Sequence, residues 1–176
     1  MISLSEMIIM LGVIISDPFV YTPNNDGVDP IQATCLAENV YFESRNQGMA
    51  GWHGVIAVTL NRVKDERFPD TICGVVKQGP TRESWKQNGT YYPVKHKCQF
   101  SWYCDGKADK IREKDIELFK HIYNLSYLSL IKQHYMLDIT DGATHYHADY
   151  VTPSWAQTKT KTVEIGDHIF YRWENK

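Results

Sequence analysis

Helices come first along this chain and a small antiparallel sheet follows, which predicts an α+β domain. Apolar residues recur at offsets of three and four in the first two thirds, most clearly over Trp52, Val55, Ile56, Thr59, Leu60 and Val63. Short alternating runs, "ATHYHADYV", "KTVEI" and "HIFYR", fill the last third and read as strands. The 176 residues suffice for one domain with a buried core, and a charged fraction of 23% is that of a globular chain.

Met7 to Ile15, "MIIMLGVII", is apolar but far short of the roughly 20 residues that cross a bilayer. It reads as a buried helix, with a degenerate export signal or a membrane-associating segment as the alternatives; no stable membrane span is expected. With the Pro-, Asn- and Asp-rich loop at 16–30 it forms an N-terminal part over 1–28, ahead of a single globular domain at 29–176. Asp29 can cap a helix whose first position suits Pro30. That helix runs through Cys35, Leu36 and Val40 toward Arg45 and stops at Gly48. The Trp52–Val63 helix follows, then a short one, "TICGVVKQ", capped by Asp70. Residues 79–97 are polar and without period, which reads as a long surface loop. "CQFSWYCDG" fits a short strand or an ordered loop. A third long helix spans Glu113 to Gln133 with Ile116, Phe119, Ile122 and Tyr123 on one side, and Gly166-Asp167 joins the last two strands.

A net charge of −2 gives no reason to expect nucleic acid as a partner. Four cysteines without a CxxC pair match no zinc pattern; they allow two disulfides in an oxidising compartment, or four small core thiols in a reducing one. An oxidised chain is expected to hold at least one bridge that involves Cys98 or Cys104.

Glu43 follows Tyr41 and Phe42 near a helix end. If that face lines a cleft, desolvation raises its pKa and fits it to act as a general acid; otherwise it is a surface glutamate paired with Arg45 or Lys64. Glu38 is about 140° away around the helix, so the two do not share one cleft. His145 and His147 point to one side of a strand. A metal site made of these histidines and Glu43 lacks the zinc signatures, so no metal and no cofactor are expected. Ser44, Ser101 and Ser154 have no GxSxG setting, and a nucleophilic Cys98 or Cys104 would need a histidine that sequence cannot place.

"YFESRNQGMAGWHGVIAVTLNRV" resembles the segment of SleB-type cell-wall hydrolases in which a Tyr-x-Glu-Ala-Arg-Gly-Glu run leads into a helix ending Leu-Asn-Arg-Val. The resemblance continues in order through "FPDTICGVV", "CQFS", "HYHADYVTPSWA" and "IGDHIFYR", from about Ala33 to Arg172. The stretch "QGPTRESWKQNGTYYPVKHKCQFSWYCDG" is most like the versions of phages and proteobacteria. The resemblance implies a lysozyme-like, mostly helical domain with a small antiparallel sheet that cleaves peptidoglycan glycan strands, with Glu43 as the catalytic acid. By analogy with lysozyme-like enzymes, Gln99, Phe100 and Ser101 would line the cleft opposite Glu43, and His145, Tyr146 and His147 would form another wall. Ser44, Asn46 and Gln47 depart from the motif, so its second acid is missing; that position reads as a helix-end or surface residue.

A hydrolase of this class needs a second carboxylate, for which Asp105 and Asp149 are the candidates; neither is convincingly spaced. The favoured expectation is therefore a lytic transglycosylase, monomeric, acting alone through Glu43 on the cell wall in the periplasm or outside the cell, as a phage endolysin would. A muramidase is second. A silent peptidoglycan-binding or virion structural protein, and a zinc amidase or peptidase, are the readings from other classes.

Overall fold

The first helix, α1 (Pro30–Ser44), starts as its sequence dictates in the computed structural model, which describes residues 27–132 and 136–174. Asp29 accepts the Ile31 N–H at 2.8 Å and Pro30 opens the helix. The apolar run Met7–Ile15 lies outside the described residues. α1 ends at Ser44, earlier than expected, and Gly48 serves instead as the N-cap of α2 (Met49–Lys64). The reason is local: the Ser44 carbonyl accepts from Trp52 Nε1 at 3.0 Å, so the next helix satisfies the end of the first.

The short helix α3 (Ile72–Val76) is capped not by Asp70 but by the next residue, Thr71, and the Thr71 hydroxyl accepts from Gly74 N. The expected loop at 79–97 contains a hairpin of β1 (Thr81–Glu83) and β2 (Tyr91–Pro93). It stands away from the core with nearly every residue exposed, so no burial imposed an apolar alternation that sequence could reveal. "CQFSWYCDG" is an ordered loop with a 3₁₀ turn at Ser101–Cys104. A second 3₁₀ turn, Glu113–Asp115, leads into α4 (Ile116–Ile131). The three expected strands form one antiparallel sheet in the order β3 (His145–Ala148), β5 (His168–Arg172), β4 (Thr160–Ile165). Gly166, at φ +56°, supplies the left-handed residue of the β4–β5 turn.

α1 is the centre of the molecule. Leu36, Val40 and Tyr41 are buried against Val55 and Ile56 of α2, Val75 and Val76 of α3, and Ile122 of α4. Within this apolar packing, Asn39 donates to Thr59 Oγ1 (3.1 Å) and accepts from Trp102 Nε1 (3.0 Å), which ties α1, α2 and the 99–104 loop together. Tyr41 donates to Asp115 at 2.6 Å, and Arg112 pairs with the same carboxylate. A smaller cluster of Val58, Ala143 and Phe170 joins α2 to the sheet. Here Gly54 is required: a Cβ would lie 2.7 Å from the Phe170 ring.

All four cysteines pair. Cys35–Cys73 clamps α1 to α3, and Cys98–Cys104 closes the loop around Gln99 to Tyr103. The bridge expected at Cys98 or Cys104 joins the two to each other.

Candidate active site

The C-terminal end of α1, the face of β3 and β5, and the loop from Gln99 to Arg112 enclose an open cleft of about 740 Å³. Glu43 lies in its wall, on the last turn of α1. Phe42 stacks on Trp102 at 4.5 Å, and both rings line the cleft, but the groups that act directly on the Glu43 carboxyl are distant in sequence. Tyr146 of β3 donates its hydroxyl to Glu43 Oε2 at 2.8 Å. Arg62 of α2 lies close enough to act on both.

Burial raises the pKa of Glu43; the Tyr146 hydrogen bond and the Arg62 charge oppose that rise without cancelling it. Tyr146 is pushed well above its ordinary range by burial and by the Glu43 charge, so it keeps its proton and remains a donor. Arg62 is 4% exposed. Its Nε donates to the Thr144 carbonyl at 2.7 Å, and its guanidinium lies 4.9 Å from the Phe100 ring centre and 5.3 Å from that of Phe68. Its buried Nη1 has no hydrogen-bond partner among the described residues. A carboxyl of raised pKa, a fixed donor and a buried cation therefore meet at one point. Such a group can release a proton to a bound substrate and then carry the resulting negative charge.

Of the other anticipated residues, Gln99, Phe100 and Ser101 line the cleft, as do Tyr146 and His147. Nδ1 of His147 faces the Ala148 carbonyl at 2.8 Å and therefore carries the proton, which leaves Nε2 to accept from the Tyr171 hydroxyl at 3.0 Å. His145 is elsewhere. It packs against Trp155, Trp173 and Phe68, with its pKa pushed down to about 3 by burial first and then by Arg62, Lys159 and Arg67. Among the described residues Glu43 forms no ion pair with Arg45 or Lys64; Arg45 instead lies over the Tyr41 ring at 5.2 Å. Among the described residues, no three His, Cys, Asp or Glu side chains gather to hold a metal ion.

Asp105 lines the cleft, whereas Asp149 sits in the turn after β3, where its N–H bonds the Asp167 carbonyl at 2.9 Å. Asp105 is held below the usual carboxylate range, chiefly by the Lys107 backbone N–H at 2.7 Å. Asp109, which sequence reasoning passed over, also lines the cleft and is raised by burial and by Asp105. Nothing in "DGKADK" marks it. Arg62 was also passed over as a site residue, although it is the arginine of the Leu-Asn-Arg-Val run. Gln47, which occupies the place of the motif's second acid, reaches the β4–β5 turn and accepts from Asp167 N at 3.3 Å. The missing acid would thus sit at a structural joint outside the cleft.

Residues 46–171 match the profile of the cell wall hydrolases, which is well over half of the chain. The chain belongs to the cell wall hydrolase family. As a member, it is 26% identical over 159 residues to the spore cortex-lytic enzyme of Oceanobacillus iheyensis. That alignment takes in 87% of this chain but 45% of the relative, so the chain spans less than half of that protein's length. Two solved structures have the same lysozyme-like fold. The catalytic domain of the Bacillus cereus SleB protein superposes with a TM-score of 0.55 at 24% identity. That of the germination-specific lytic transglycosylase SleB from Bacillus anthracis gives 0.56 at 27%. Each alignment covers 86% of this cell wall hydrolase and the whole of the other domain. The family match begins at Asn46, three residues past Glu43, so the case for Glu43 rests on its geometry.

Proposed function

We propose that this cell wall hydrolase cleaves the glycan strands of peptidoglycan between MurNAc and GlcNAc as a lytic transglycosylase, with Glu43 as acid and then base. The observation that carries the reading is the Glu43 carboxyl itself: it is raised by burial, faces a cleft that can admit a polymer, and is held at one oxygen by Tyr146. Family membership and the named activity of the B. anthracis relative support it.

Tyr146 occupies Oε2, which leaves Oε1 to carry the proton toward the substrate. Protonated Glu43 delivers that proton to the glycosidic oxygen as the C1–O bond breaks, and positive charge develops at C1 of MurNAc. The new carboxylate is stabilised by the Tyr146 O–H and the Arg62 charge. It then removes the proton from the C6 hydroxyl of the same sugar, whose oxygen closes on C1. Glu43 is reprotonated, no water is consumed, and the product is a 1,6-anhydro end. One carboxylate suffices, and the groups that act on Glu43 are Tyr146 and Arg62, not a second acid. Closure of both disulfides fits work in an oxidising compartment, the periplasm or the exterior of the cell.

A muramidase is the second reading, because Asp105 and Asp109 share the cleft and either could activate a water. Mass spectrometry of digested walls separates the two: anhydro ends are lighter by one water, about 18 Da, and resist borohydride, as expected when a single carboxylate serves both steps. Reducible MurNAc ends would assign the reaction to hydrolysis. Glu43→Gln should abolish release of fragments, by roughly 10²- to 10⁴-fold. Near-normal lysis by the folded variant would remove Glu43 from the mechanism. Sedimentation with walls and no release by the parent protein would make it a binding or structural protein.

A further inference from the structure

The β1–β2 hairpin carries a concentration of features that the cleft does not use. Trp85 is 86% exposed and Tyr92 54%. Strand register sets Arg82 opposite Tyr92 on one face. With Glu83, Lys86 and Asn88 these side chains line a second concavity of about 630 Å³, and Lys86 Nζ lies 5.5 Å from the Trp85 ring centre. The chain as a whole carries −2, yet residues 80–98 hold four cations (Arg82, Lys86, Lys95, Lys97) against one anion, Glu83.

This surface is built rather than loose. Ser84 N bonds the Thr90 carbonyl at 2.7 Å, Val94 N bonds the Pro80 carbonyl at 2.8 Å, and Glu83 accepts from Gly89 N at 3.1 Å across the tip. The base is fixed to the cleft wall. Gln99 N donates to the Gln78 carbonyl at 2.9 Å, Cys98 is bridged to Cys104, and the Lys95 chain covers Gly106 on the rim. A ligand held on the hairpin is therefore held by the same loop that lines the cleft.

We infer that the hairpin is a second glycan-binding site, which grips the wall polymer away from the bond to be cut. Trp85 and Tyr92 offer flat faces to the apolar side of a sugar ring, and Arg82 and Lys86 meet the carboxylates of an acidic, peptide-bearing strand. The strand's identity rests on the reading of the cleft given above. A membrane surface fits less well: residues 81–93 contain no Leu, Ile, Val, Met or Phe to enter the acyl region, and Glu83 and Asn88 lie among the aromatic residues.

The test uses Glu43→Gln protein, so that binding is read without cleavage. Trp85→Ala with Tyr92→Ala, both exposed and expected to leave the melting temperature unchanged, should weaken co-sedimentation with purified sacculi by about tenfold, the effect of losing an aromatic anchor. Arg82→Ala with Lys86→Ala should flatten the salt dependence of the same binding. With Glu43 restored, the aromatic variant should lyse sacculi more slowly yet cleave short soluble oligosaccharides as the parent does. Undiminished binding to sacculi would overturn the proposal. So would retention on phosphatidylglycerol vesicles that the same substitutions abolish, since that assigns the surface to lipid. Fragment release with unaffected hairpin variants refutes this site alone; lost wall binding with a parent that releases no fragments refutes the cleft reading alone.

Discussion

Tyr146 is the side chain through which the sheet reaches Glu43, and a single oxygen mediates it. In Tyr146→Phe the ring packing against Phe170 stays, but the donor to Oε2 is lost. That hydrogen bond favours the carboxylate, so its loss raises the Glu43 pKa further and moves the alkaline limb of kcat/KM to higher pH. The rate itself should fall roughly 10- to 100-fold, the worth of a charge-assisted hydrogen bond. An unshifted limb would reduce Tyr146 to packing. Glu43→Gln has a second expected consequence. A carboxyl whose folded pKa is raised binds its proton more tightly when folded, so above that pKa its ionisation opposes folding. The variant should therefore melt no lower than the parent at pH 8, with any advantage vanishing below the ordinary carboxylate range. The flanking aromatic residues led sequence reasoning to expect a raised pKa at Glu43, and burial does raise it, but the reason was incomplete. Phe42 belongs to the Trp102 stack, whereas the effective partner is 103 residues away. A contact of that span has no local periodicity to betray it.

Among the elements, α2 and β5 meet where Gly54 lets the helix approach Phe170. Gly54→Ala gains up to about 1 kcal/mol of helix propensity. It also sets a methyl group 2.7 Å from a fully buried ring, and overpacking of that kind costs about 1–3 kcal/mol. The net outcome should be a lower melting temperature, together with lower activity because Phe170 supports Tyr146. The two disulfides should separate stability from function. In the chain-entropy account, Cys35–Cys73, 38 residues apart, stabilises by about 4 kcal/mol, and Cys98–Cys104, 6 apart, by about 2 kcal/mol. Serine at the first pair should cost more in denaturant midpoint, and serine at the second more in activity per folded molecule, since it frees the loop of Gln99 to Ser101. The helices and the three-stranded sheet were legible because each buries one side and so writes its period into the chain. The β1–β2 hairpin buries neither face and so left no apolar alternation to read.

Over the whole molecule, the order of elements and the lysozyme-like α+β class were legible, because they follow from patterning and from motifs spread across the chain. Which side chains converge was legible only in part, through the family resemblance; His145, placed by its strand beside the cleft residues, packs instead with Trp155, Trp173 and Phe68. Two histidines bear on the response of the molecule to acid, His145 in that packing and His168 against Tyr146 in the cleft. His145 and His168 have folded pKa values pushed down, both by burial first, so the unfolded chain binds protons that the native state refuses. Stability should fall as pH drops from about 6.5, the ordinary histidine value, toward the value of about 3 held by His145. His145→Gln should narrow the difference in urea midpoint between pH 7 and pH 5; an unchanged difference would place acid sensitivity elsewhere. One further consequence follows from the bond between Gln99 N and the Gln78 carbonyl. The chain leaves the body of the protein and returns to it at neighbouring points, so what lies between is a cassette. Doubling the length of such an excursion costs only about 0.6 kcal/mol of closure entropy. Evolution or an engineer can therefore exchange this appendage for another, while the cleft wall at the far end of the same loop stays where it is.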